Sequence, residues 1–258
     1  MPPATTRSTP EPKLSRPVQV AEAIKDWVVD QGLRAGDRLP GESELIERFG
    51  MAKGTIREAM RVLEAQGLIK TRTGPGGGSF VHEVSGQRAK ALLGNYFYFK
   101  NLKIGDIYQL RLALEPELAA SLAGTLPDEV LDRLDDCIAH YAHPARNLDE
   151  ERQQHVDSLR FHAILAEAAD NPLLGFVIDF MVSLLSDLTV HRKLYSPPNA
   201  ELWSRGRDYQ LRLLMALREG DADAARAIMR AHMETAWALM RGQEVEMLRQ
   251  FMPGWQAE

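Results

Sequence analysis

"MAKGTIREAMRVLEAQGLIKTRTGPGGGSFV", Met51–Val81, decides the fold of the N-terminal third. Its first half puts Ile56, Ala59, Met60 and Leu63 on one face of a helix, and Gly67 closes that helix. "GLIKTRT" and "SFV" then read as short strands on either side of "GPGGG". A phosphate cradle would need its glycines in front of a helix, where free backbone N–H groups point at the anion. A Walker-type loop would also end in Gly-Lys-Ser/Thr, whereas Gly78 leads into Ser79-Phe80-Val81. The order is helix, strand, glycine turn, strand. The glycines are therefore read as the tip of a hairpin.

Upstream, Val20, Ala21, Ile24, Trp27 and Val28 recur at helical spacing between Val18 and Asp30. Gly32 and Gly36 end that helix, and "RAGDRLPGESEL" turns the chain into a short second helix, Glu42–Phe49. A short helix, a glycine turn and a helix carrying Lys53, Arg57 and Arg61 at steps of four form a helix-turn-helix pattern. One face of the last helix can pack on the domain while its basic stripe meets phosphates and base edges in a major groove. A solvated surface partly balanced by Glu58 and Glu64 is the plainer alternative. The adjoining hairpin favours DNA, because a glycine tip lets the backbone, at Gly74 and Gly77 for example, approach a sugar-phosphate edge.

With these residues in place, "GDRLPGESELIERFGMAKGTIREAMRVLEAQGLIKTRTGPGGGSFV" resembles the DNA-binding domain of the GntR transcription regulators over residues 17–83. The resemblance implies that Lys53, Thr55 and Arg57, with Gly74 in the wing, meet double-stranded operator DNA. Family members often place Arg where this chain has Ser43, whose hydroxyl can still bind a phosphate but lacks charge and base reach. The usual Ser-Arg pair opening the recognition helix is Ala52-Lys53 here.

A chain of 258 residues, 45% hydrophobic, is long enough for one large or two ordinary domains. Residues 1–82 carry 12 Lys/Arg against 10 Asp/Glu, a balance of +2, so the formal net charge of −5 leaves −7 for the rest. An N-terminal third of weakly basic character joined to an acidic remainder suggests different partners for the two parts. "MPPATTRSTPEPKLSRP" has no apolar h-region and reads as a disordered tail over residues 1–16. No apolar run is long enough for a bilayer, and the single Cys137 excludes an intrachain disulfide and multi-cysteine zinc modules. A cytoplasmic protein without a membrane partner is expected.

Beyond a connecting segment at 84–105 the pattern is almost continuously helical, with Leu110, Leu114, Leu118 and Leu122 at steps of four. Further helices are expected around 127–142, 149–170, 172–195, 200–219 and 221–247, followed by a tail at 248–258. The fold class is thus mainly α: a winged helix-turn-helix followed by an all-α bundle of about six or seven helices.

"IYQLRLALEPELAA", "FHAILAEAADNPLL" and "ALREGDADAARAIMRAHM" resemble the FCD ligand-sensing domain of the FadR branch, within a domain assigned to 106–247. The resemblance implies a homodimer sensing a small organic acid. It also implies a metal site of one Asp and three His, whose positions here are Ser158, His162, Gln210 and His232. Two imidazoles with neutral, weakly coordinating neighbours make a poor site, so no cofactor is expected beyond a weakly held divalent metal. Asp157 is displaced around the helix by about 100°, and His155 lies about 10.5 Å along it from His162. The plain reading of His162 and His232 is hydrogen-bonded core or pocket histidines. Arg111 and Glu115 occupy the family's "R...E" positions, where the Arg commonly binds an effector carboxylate; otherwise they are an ordinary i,i+4 pair. "YSPPNAELW" is a loop that could rim the pocket. The expected activity is ligand-responsive transcription regulation, by repression, with no enzymatic function. A metal-dependent hydrolase using His162 and His232, or a helical protein-interaction adaptor, are the alternatives.

Overall fold

The computed structural model describes residues 14–100, 102–192 and 200–240. The chain divides between Ser85 and Gly86 into two units, taken separately below.

In the first unit, α1 (Arg16–Asp30), α2 (Glu42–Phe49) and α3 (Lys53–Gln66) precede a hairpin of β1 (Ile69–Arg72) and β2 (Gly78–Val81). Pro17 sits in the first turn of α1, where a missing N–H costs nothing, and Arg16 already belongs to the helix rather than to the expected tail. Residues 1–13 of that tail lie outside the described residues. The apolar spacing becomes a small core: Val20, Ala21 and Ile24 from α1, Leu45 from α2, and Ile56, Ala59 and Leu63 from α3. Gly67 adopts φ 79° at the end of α3, and Leu68 N–H returns to Leu63 C=O at 3.0 Å. That cap turns the chain straight into β1.

The hairpin is antiparallel, with Ile69 opposite Val81 and Arg72 opposite Gly78. The segment before α2 braces it from the other side. Leu39 N–H donates to Ser79 C=O, and Val81 N–H donates to Asp37 C=O, each at 2.8 Å. Arg38 donates to Gly77 C=O at 2.7 Å. The wing is thereby anchored at its base and its tip.

The second unit contains α4 (Gly86–Tyr98), α5 (Ile104–Leu122), α6 (Asp128–Ala139), α7 (Leu148–Glu167), α8 (Pro172–Arg192), α9 (Ala200–Glu219) and α10 (Ala222–Met240). The 84–105 stretch is more than a connection. Lys90 Nζ on α4 reaches Asp179 Oδ2 at 2.8 Å and Ser183 Oγ at 3.1 Å on α8, so α4 packs as a bundle helix. Most of the "YSPPNAELW" loop and the expected helical and tail residues beyond 240 fall outside the described residues.

α5 lies centrally, against α10, α8 and α7. At its start Gly105 leaves room for Trp237 on α10; a Cβ there would stand 2.8 Å from the indole. Tyr108 stacks on the same indole at 5.6 Å. The leucine row does not all face inward: Leu118 and Leu122 are buried, but Leu110 is 49% exposed. A step of four overshoots a helical turn by about 40°, so the row drifts around the helix. The inward positions are Ile104, Ile107, Tyr108, Arg111, Glu115, Leu118 and Leu122.

Candidate functional site

The reading face of the first unit is built by α2 and α3. Lys53 opens α3, Arg57 follows one turn later, and both side chains are exposed. Neither cation is free in this state. Glu42, in the first turn of α2 where the helix dipole favours a carboxylate, takes Lys53 Nζ at 3.3 Å and Arg57 Nε at 2.7 Å on its two oxygens. Arg57 above all, and Lys53 with it, lower the Glu42 pKa. Arg61 pairs with Glu58 at 3.2 Å, as the plainer reading anticipated, whereas Glu64 instead accepts the Thr71 N–H at 2.9 Å. Ser43 is exposed on α2 and Thr55 half-buried on α3. The sequence reading missed Glu42, because the contact joins two helices across a turn.

At the hairpin tip the glycines have distinct reasons. Gly74 and Gly76 take φ 90° and 76°, which side chains resist. Gly77 does not have positive φ. A Cβ there would lie 2.5 Å from Arg72 O and 2.8 Å from Gly74 O, so its requirement is space. A substitution at Gly77 must first distort the hairpin itself, before it acts on any approach to DNA.

In the second unit a cavity with about 50 Å³ of free space is lined by Arg111, Gln154, Ser158, His162, Trp203 and His232 among others. Arg111 and Glu115, each 1% exposed, form a two-pronged pair: Nε donates to Oε1, and Nη2 to Oε2 at 3.4 Å. This is no surface i,i+4 pair. Burial alone would raise the Glu115 pKa, but Arg111 and His162 together hold it far below the usual carboxylate range. The ionised carboxylate only accepts, so His162 Nδ1–H donates to Glu115 Oε2 at 2.6 Å. Burial lowers the His162 pKa against the pull of Glu115, and burial with the His162 neighbour lowers that of His232. His162 Nε2 and His232 Nε2 lie 3.3 Å apart, within hydrogen-bonding distance. His155 lines the same cavity, its pKa pushed down to about 3 by burial and by Arg111.

Ser158 and Gln210 join a second network. The Tyr141 hydroxyl, kept protonated by burial, donates to Gln210 Oε1. Gln210 Nε2 donates to Ser158 O at 3.0 Å and Ser158 Oγ at 3.2 Å. The positions that carry an Asp and a His in the metal pattern are spent on each other. Asp157 is turned away, accepting from Gln153 Nε2 at 3.0 Å. Among the described residues no three His, Cys, Asp or Glu side chains group to hold a metal. The donor set does not fit a closed metal shell. Tyr141, between helices, carried no sequence signal. Gln154 did: it lies four residues before Ser158 and eight before His162, on the same stripe of α7.

A winged helix presenting cations beside a glycine-tipped hairpin, followed by a helical bundle around a polar cavity, defines a DNA-binding transcription regulator with a ligand-sensing domain. Residues 17–81 match the bacterial regulatory proteins of the gntR family, and residues 106–235 match the FCD domain. The chain belongs to the GntR family. It is 28% identical to the HTH-type transcriptional repressor NanR of Cronobacter sakazakii, over 88% of this chain and 85% of that one. It is 30% identical to the HTH-type transcriptional regulator YcbG of Bacillus subtilis, over 84% and 86%. The HTH-type regulator LutR of Bacillus subtilis is 25% identical over 81% and 94%. A Streptococcus agalactiae GntR structure shares the fold at TM-score 0.58 and 22% identity, covering 88% of this chain and 99% of that one. Among the described residues no helix is long and apolar enough to cross a membrane.

Proposed function

We propose that the protein is a cytoplasmic homodimeric repressor that binds a palindromic operator and changes its hold on that operator when a small metabolite, an organic acid or a related compound, enters the bundle cavity. The observation that carries the reading is the pair Lys53 and Arg57 exposed on α3 beside a braced glycine hairpin. A dimer places two such heads one helical turn of DNA apart. The effector acts by favouring one arrangement of the heads over another. The NanR relative is a transcriptional repressor, which supports the same role for this chain.

The cavity works without a metal, because Gln210 bonds to Ser158 and to Tyr141. An acid group on the effector would approach Arg111, whose charge is already balanced by Glu115. No enzymatic role is proposed, since His162 and His232 bond to Glu115 and to one another, with no nucleophile between them. A gel shift with the DNA flanking its own gene tests the regulator reading, and absence of specific binding would sink it. Elemental analysis of untagged protein tests the metal reading. Near-stoichiometric metal that disappears in the His162→Ala, His232→Ala double variant would overturn it, whereas Ser158→Asp with Gln210→His should create a metal site.

A further inference from the structure

The polar groups around the cavity are unequally supplied with partners. Arg111 is engaged by Glu115, and Gln210 by Ser158. One acceptor is left over. Gln154 is 8% exposed, and its Nε2 donates to His143 C=O at 2.7 Å. A carbonyl can only accept, so this bond fixes which end of the amide is which. Gln154 Oε1 is left buried with no hydrogen-bond partner. Glu151 adds a carboxylate to the lining.

We propose that the cavity recognises its effector through a donor the effector brings: a small hydroxylated molecule, one of whose hydroxyls donates to Gln154 Oε1. This rests on the cavity being the effector site. A carboxylate or other bare anion offers this acceptor nothing. An ammonium would be desolvated beside Arg111. A hydroxyl satisfies the lone pair without adding charge. The free space, room for a few waters, suits a molecule of a few heavy atoms.

The test is calorimetric titration of the full-length protein with a matched four-carbon series: erythritol, erythronate, 1,4-butanediol and butyrate. Erythritol and erythronate should bind, 1,4-butanediol more weakly, and butyrate not detectably. Gln154→Leu should weaken erythritol about tenfold, the cost of losing one bond to a buried acceptor. Comparison of ligands on the unmodified protein keeps the test valid if that variant misfolds. Butyrate binding as tightly as erythritol would overturn the proposal. Failure of both hydroxylated compounds to bind would overturn it too, and operator binding in a parallel gel shift would then show the regulator reading still standing.

Discussion

The two units use one device in opposite surroundings. In the winged helix Glu42 bridges Lys53 and Arg57; in the bundle Glu115 bridges Arg111 and His162. The Glu42 cluster stands in water, where such pairs are screened and contribute little. Its cations can exchange a carboxylate for a phosphate at small cost. The Glu115 cluster is sealed, and its carboxylate and guanidinium compensate charges that would otherwise be stranded in a poor solvent. A carboxylate between two basic groups is thus a rehearsal for a partner when exposed and a fixed strut when buried.

The largest expected effect tests the strut. Glu115→Ala should destabilise the bundle by about 3–5 kcal/mol in chemical denaturation, because Arg111 is left unpaired. Arg111→Met combined with Glu115→Leu should recover most of that loss. A single variant as stable as the parent would break the contrast.

Acid should divide the units next. His155, His162 and His232 all have pKa values lowered in the fold, so the unfolded chain binds protons that the native bundle refuses. Their contribution is complete above the unfolded histidine value and is lost as pH falls below it. Each histidine that stays neutral should cost about 2 kcal/mol between pH 7 and pH 5. The Glu115 contribution, with its depressed pKa, persists through that window and is lost only in stronger acid. His82, in the first unit, is exposed. Unfolding followed separately in each unit should therefore show the bundle weakening first.

Smaller effects belong to the exposed cluster. Arg57→Ala should weaken specific operator binding by about 1–3 kcal/mol if it reads a base edge. Unchanged affinity at moderate salt would misplace the recognition helix. Glu42→Gln should change binding least, tightening it slightly and steepening its salt dependence as the cations are released. Weaker binding would instead make Glu42 a residue that orients them.

Local features were legible in the sequence. Helix faces, caps and the glycine hairpin are written within a few residues of each other, and so was the winged helix. Pairings across the chain were not. Glu42 is 15 residues from Arg57, and nothing in the spacing reveals that the two side chains meet. Arg111 and Glu115 could be read as a pair, and their apolar neighbours Leu110 and Leu114 suggested a buried edge, but the bond from His162 to Glu115 across 47 residues could not be read. In the cavity, the stripe through Ser158 and His162 extended to Gln154, whereas Tyr141, expected within a helix at 127–142, stands just beyond the end of α6 at Ala139.

The chain of bonds from Tyr141 through Gln210 to Ser158 also constrains descent. A histidine at 210 alone would take the acceptor from Tyr141 and the donors from Ser158 while still lacking a carboxylate beside it. An aspartate at 158 alone would set a second carboxylate in a bundle whose Arg111 is already paired with Glu115. Either first step is unfavourable without the second. Once a lineage holds Ser and Gln at these positions, selection acting one substitution at a time keeps it there, and the two sites should change together or not at all.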